Sequence, residues 1–84
     1  MPYTIVIMRR AQQSIDRLQP SDAHKVYSAI NALADNPRPT GCIKLSGQDA
    51  WRIRVGDYRI IYEIRDRMLV VTVTTFGHRR DVYR

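Results

Sequence analysis

Seven side chains in the C-terminal third could do chemistry together: Arg52, Arg54, Arg59, His78, Arg79, Arg80 and Tyr83. Cutting a phosphodiester through a ribose 2′-hydroxyl needs a base for that hydroxyl, cationic donors for the charged phosphorane, and an acid for the leaving 5′-oxygen. Arginine supplies the donors in a planar fork that fits a phosphate, but a pKa above about 12 makes it a poor base. His78 is the member of the set that titrates near neutrality. Tyr83 can stack on a base or give up a proton. Each has a plainer alternative: the arginines as a solvated sheet face, His78 as a polar tail residue, Tyr83 as a packing anchor. His24 falls in a helical segment and reads as a surface or helix residue.

The elements that would position this set decide between those alternatives. Gly56-Asp57 separates two alternating runs, Trp51 to Val55 and Tyr58 to Arg65, the pattern of a tight hairpin. A two-residue turn pairs Val55 with Tyr58, Arg54 with Arg59, Ile53 with Ile60, Arg52 with Ile61, and Trp51 with Tyr62. Trp51, Ile53, Val55, Tyr58, Ile60 and Tyr62 then share the core face, while Arg52, Arg54 and Arg59 share the other. Like charges directly opposite one another destabilise a sheet, where opposite charges would contribute roughly 0.2–1 kcal/mol. A sheet that accepts Arg54 against Arg59 is expected to offer the cluster to an anion.

The remaining pattern gives the order of elements. Tyr3 to Met8 is rich in β-branched residues and predicts a first strand. Arg9 to Gln19 spaces Ala11, Ile15 and Leu18 for a short amphipathic helix ending before Pro20. Ser21 or Asp22 is expected to cap a second helix to about Ala34, with Val26, Ile30 and Leu33 on its buried stripe. A proline-rich loop, Pro37 to Gly41, and a short extended piece at Ile43 to Leu45 lead to the hairpin. Asp66-Arg67 predicts a second turn, Met68 to Phe76 a last strand, and Gly77 its end, with a polar tail from His78 to Arg84. This order predicts an α+β domain: two N-terminal helices on one face of a small, mainly antiparallel four-stranded sheet, β-α-α-β-β-β. Antiparallel return of the last strand brings the basic tail back beside Tyr58 and Arg59.

Bulk properties fit that picture. The 84 residues make one domain, with a formal charge of +6 and a pI near 10.1 that favour a polyanionic partner. Residues 52–84 hold eight arginines against Asp57, Glu63, Asp66 and Asp81, a net of +4. Residues 1–51 hold six basic and four acidic side chains, a net of +2. The single cysteine, Cys42, excludes an intrachain disulfide and a cysteine-based zinc site, and reads as a buried, inert thiol. The first ten residues lack the layout of a signal peptide and no run approaches a membrane span, so a cytoplasmic protein is expected. Glycine-rich phosphate loops, zinc-spaced histidine pairs, nucleophile elbows and paired acidic residues are missing from the sequence. Chemistry without metal or cofactor is the expectation.

At these residues the chain resembles the RelE family of bacterial toxins, within the larger RelE/ParE superfamily. The resemblance is carried by NPRPTGCIKLSG leading into WRIRVGDYRIIYEI, by Arg59 after the turn, by the apolar strand LVVTVTTF, and by the closing GHRRDVYR. It spans essentially the whole chain. It implies the toxin of a toxin–antitoxin pair: a ribosome-dependent, metal-free endoribonuclease that cuts mRNA in the A site and leaves a 2′,3′-cyclic phosphate. Arg52 and Arg54 fall where such toxins carry two basic residues, usually lysines, proposed as general base and acid. Arg59 falls on the arginine after the turn, Arg79 on the arginine of the tail, and Tyr83 on the near-terminal tyrosine. The resemblance also implies partners: a RelB-like antitoxin that covers the basic surface, the 70S ribosome with its mRNA, and operator DNA bound through the antitoxin.

Two rival readings share the electrostatics. A ParE-like poison of DNA gyrase would use the same fold without a ribonuclease constellation. A non-catalytic RNA- or ribosome-binding module would need only the charge, with its basic residues nearly interchangeable.

Overall fold

The computed structural model describes residues 2–47 and 49–78. Strand β1 (Thr4–Ile7) runs directly into helix α1 (Arg9–Asp16), followed by helix α2 (Pro20–Ala32). Strands β2 (Ile43–Lys44), β3 (Trp51–Val55), β4 (Tyr58–Arg65) and β5 (Val70–His78) complete the sheet in the order β1-β5-β4-β3-β2. The sheet therefore has five strands where four are expected from sequence. The extra one is the two-residue edge strand β2, in which Ile43 pairs with Arg52 and Lys44 with Trp51. Two residues carry too little alternation to announce a strand. The antiparallel β2-β3-β4-β5 block is closed on its far edge by a parallel pairing, Thr4 with Val70 through Ile7 with Val73.

Both helices cover one face. Ala11 and Ile15 of α1, with Val26, Ile30 and Leu33 of the α2 segment, pack on Ile53, Ile60, Tyr62, Ile64, Val71, Val73 and Phe76. Fully burying a branched aliphatic side chain is worth roughly 1.5–3 kcal/mol, so this layer supplies most of the drive for folding. Tyr62 lies at its centre, fully buried, and its hydroxyl donates to the Pro37 carbonyl at 2.7 Å. Burial pushes the Tyr62 phenol well above its ordinary value, so it remains a donor across the accessible pH range.

Element ends differ from the sequence pattern in instructive ways. Helix α2 begins at Pro20, with Gln19, not Ser21 or Asp22, at the cap position in extended conformation and making no side-chain cap bond. Proline at the first helical position needs no amide donor and arrives with a helical φ, so it starts the helix without help. The last turn spans Asp66 to Leu69, with Leu69 at φ 55°, because Arg65 pairs with Val70. Strand β5 continues through Gly77 to His78, since Gly77 still pairs with Arg59 and His78 with Tyr58. Glycine lowers strand propensity, but here the ladder to β4 holds it in place.

One irregularity reorganises β5. Tyr62 pairs with Val73 but Ile61 pairs with Thr75, so Thr74 is an extra residue in the strand, a β-bulge. The Thr74 hydroxyl donates to the Ile61 carbonyl at 3.2 Å and pins the bulge to β4. Val71 and Val73 face the helices before the bulge, and Phe76 faces them after it.

Candidate nucleic-acid interface

The hairpin register is the one the sequence predicts: Val55 with Tyr58, Arg54 with Arg59, Ile53 with Ile60, Arg52 with Ile61, and Trp51 with Tyr62. Gly56 sits at φ 59° in the turn, a conformation that costs glycine nothing. Directly opposed residues project from the same face of a sheet. The face away from the helices thus carries two cross-strand rows near the hairpin end. One row reads Ile43, Arg52, Ile61, Thr75; the next reads Arg54, Arg59, Gly77. Arg54 is exposed, Arg59 is half-buried, and Arg52 is only 9% exposed. Gly77, with no side chain, leaves a low floor beside Arg59.

The structure brings Arg52, Arg54 and Arg59 together but places His78 elsewhere. His78 is paired with Tyr58, a residue of the helix-side face, and its ring meets the Tyr58 ring edge-on at 6.2 Å and 82°. Tyr58 in turn stacks on Phe76 at 5.3 Å. His78 therefore lines a cleft of about 290 Å³ between the start of α2 and the hairpin turn, shared with Asp22, Lys25 and Asp57. The expectation that it stands among the arginines is corrected by the bulge at Thr74, which shifts every later residue of β5 to the opposite face. The other three expected site residues, Arg79, Arg80 and Tyr83, lie outside the described residues.

A different kind of arginine site lies at the other end of the sheet. Arg38, from the proline-rich loop, donates from both terminal nitrogens to Asp66, at 3.2 and 2.9 Å, and lies over the Trp51 ring at 5.2 Å. The Tyr3 hydroxyl donates to the same carboxylate at 2.7 Å. Arg38 first, then Tyr3, holds the Asp66 carboxyl below the usual carboxylate range, and the bond to Asp66 raises the Tyr3 phenol. This cluster ties β1, the loop and the β4–β5 turn together.

One basic residue escaped the sequence reading. Arg10, in the first turn of α1, donates from Nε to the Thr74 carbonyl at 3.1 Å and from Nη2 to the Thr75 hydroxyl at 3.3 Å. The available signal was the Arg9-Arg10 pair at a helix start with no acidic residue in its first turn. Among the described residues, no group of three or more His, Cys, Asp or Glu side chains could hold a metal ion. None of the described helices is long and apolar enough to cross a membrane.

Comparison with known proteins agrees with this architecture. Toxin RelG of Mycobacterium tuberculosis is 30% identical over 86 residues, covering 100% of this chain and 99% of the relative. The archaeal RelE in the RelE–RelB complex of Pyrococcus horikoshii superposes with a TM-score of 0.86 at 25% identity, covering 98% of this chain and 100% of that one. The toxin–antitoxin complex RelBE of E. coli contains a chain with a TM-score of 0.79 at 24% identity, over 90% of this chain and 95% of that one, a likeness of fold. The family model for the ParE toxin of type II toxin–antitoxin systems matches residues 5–83. The chain belongs to that family, as a toxin of the RelE/ParE superfamily.

Proposed function

We propose that this toxin is a ribosome-dependent endoribonuclease that cuts mRNA in the A site by attack of a ribose 2′-hydroxyl on the adjacent phosphate. The observation that carries the reading is the register setting Arg54 against Arg59 with Arg52 one row behind, on the face opposite α1 and α2. In this reading the 2′-hydroxyl gives up its proton to a base as its oxygen bonds to phosphorus, the phosphorus–5′-oxygen bond breaks, and the leaving oxygen takes up a proton, so that the products are a 2′,3′-cyclic phosphate and a 5′-hydroxyl. The guanidinium groups of Arg52, Arg54 and Arg59 stabilise the charge that develops on the phosphorane, the contribution that dominates such reactions. Arg79 and Tyr83 join them on the strength of the family resemblance, Arg79 as a further cationic donor and Tyr83 stacking on a base or donating a proton. Arg80 adds to RNA binding. His78 is left out of this proposal, its ring lying edge-on to Tyr58.

The RelE–RelB complexes among its structural relatives support a RelB-like antitoxin as partner. An antitoxin helix bearing acidic side chains would be drawn to the same arginine face. Operator DNA would be reached through that antitoxin, and the site of action would be the cytoplasm.

The test is primer extension on an mRNA held on 70S ribosomes with a vacant A site, against free mRNA. Cuts inside the A-site codon only with ribosomes present are the expected result. Their absence with folded, antitoxin-free protein would remove the ribonuclease reading. A second reading, inhibition of DNA gyrase, is favoured by the matched family model, which describes a ParE toxin. Loss of supercoiling activity by gyrase in the presence of this protein, without mRNA cuts, would select it.

A further inference from the structure

We propose that Arg10 is a phosphate-binding residue that extends the arginine face past β5, gripping the RNA backbone beside the scissile phosphate. The inference rests on the ribonuclease reading for its substrate and on two independent observations for its place. The first is register. Thr75 completes the row Ile43, Arg52, Ile61, Thr75, so its hydroxyl stands on the arginine face, and Arg10 Nη2 binds that hydroxyl at 3.3 Å. Arg59 and Arg10 thus flank the strip of β5 formed by Thr75 and Gly77. The segments that carry the two arginines, β4 and the start of α1, stand on either side of β5. That is a track for a backbone carrying one charge per nucleotide.

The second observation is that Arg10 stands where a helix disfavours it. The N-terminus of a helix carries partial positive charge, and cations there cost stability. Helix α1 nevertheless opens with Arg9-Arg10, has no acidic residue in its first turn, and gets no side-chain cap bond from Met8. This helix start and the Arg54–Arg59 row border the same strip of β5. A basic helix start beside a row of arginines concentrates positive charge on one surface, which suits a ligand of opposite charge. Arg10 is exposed, and its bonds to Thr74 and Thr75 use two of five guanidinium N–H donors, leaving the others to meet a phosphate.

The experiment measures binding of the whole chain to a fluorescein-labelled single-stranded RNA blocked by 2′-O-methyl groups, across a salt series. For a single strand each phosphate contact contributes about 0.7 to the slope of log affinity against log salt. Arg10→Gln should lower that slope by about 0.7, Arg10→Lys should restore it, and Arg67→Gln, in the turn at the opposite end of β4, should leave it unchanged. In the ribosome assay Arg10→Gln should raise the half-saturating concentration while leaving the maximal rate unchanged, which a structural clip alone would not do. Protection of Arg10 from phenylglyoxal by the same RNA, read by mass spectrometry on the wild-type protein, needs no variant to fold. An unchanged slope in Arg10→Gln, an equal fall in Arg67→Gln, or absence of protection would each overturn the proposal. If the slope falls as expected but ribosomes yield no cuts, Arg10 stands and the ribonuclease reading falls.

Discussion

The two ends of the sheet treat arginine in opposite ways. At the β4–β5 turn, Arg38 is chelated by Asp66, stacked on Trp51 and joined through the carboxylate to Tyr3. At the β3–β4 turn, the cross-strand neighbours of Arg54 and Arg59 are each other and Gly77. The first arrangement consumes positive charge to hold a loop in place. The second concentrates it on one face of the sheet. The contrast separates an arginine that ties the fold together from arginines gathered on one face, a distinction invisible in net charge.

The contrast can be broken at either end. The largest expected effect is at Arg59: Arg59→Ala should slow single-turnover mRNA cleavage about 10²–10³-fold, as loss of a transition-state donor does elsewhere, while ribosome affinity changes little. Near-wild-type cleavage at saturating protein would show that Arg59 only binds. Next comes Tyr62→Phe, which removes the buried bond to Pro37 and leaves that carbonyl unsatisfied. Its cost should be about 1–3 kcal/mol in urea denaturation, with cleavage unaltered after refolding conditions are met. Arg54→Thr should do the reverse of what core mutations do, stabilising the sheet by up to about 1 kcal/mol by removing the like-charge pair while cleavage falls. A variant that loses both stability and activity would mean that Arg54 is a structural residue.

The smallest effect belongs to Asp66→Asn, and its signature is pH. The folded-state pKa of Asp66 is lowered, so its contribution is present above the unfolded carboxylate value of about 3.9 and is lost as pH falls through the lower folded value. The wild type should therefore be the more stable protein at neutral pH, by a small margin given the exposure of both partners, and the margin should close on acidification. A difference that persists in acid would assign the effect to Tyr3 packing instead.

Much of this was legible in the chain because the informative signals were local. Gly56-Asp57 between alternating runs specifies the hairpin register, and with it the Arg54–Arg59 pair. The apolar spacing of Ala11 with Ile15 and of Val26 with Ile30 specifies both helix faces. What was hidden depended on a change of phase. Strict alternation from Val71 and Val73 sends Phe76 and His78 to the arginine face, and only the wider gap between Val73 and Phe76 hints that Thr74 is supernumerary. Arg10 was hidden for another reason: its partners are 64 and 65 residues away, and helical periodicity says nothing about which strand a first turn will touch. The edge strand β2 was too short to show a period at all.

The sheet order has a consequence in time. Strand β5, the last strand among the described residues, lies between β1 and β4, so β1 must wait for β5 before it can pair. Contacts as distant as Thr4 with Val70 close slowly and only after the intervening chain is made. A nascent chain can form its hairpin early, but it has no Gly77 beside Arg59 and no Thr75 beneath Arg10 until β5 itself has been made. The finished surface therefore comes after the helices and the hairpin in the order in which the elements can assemble.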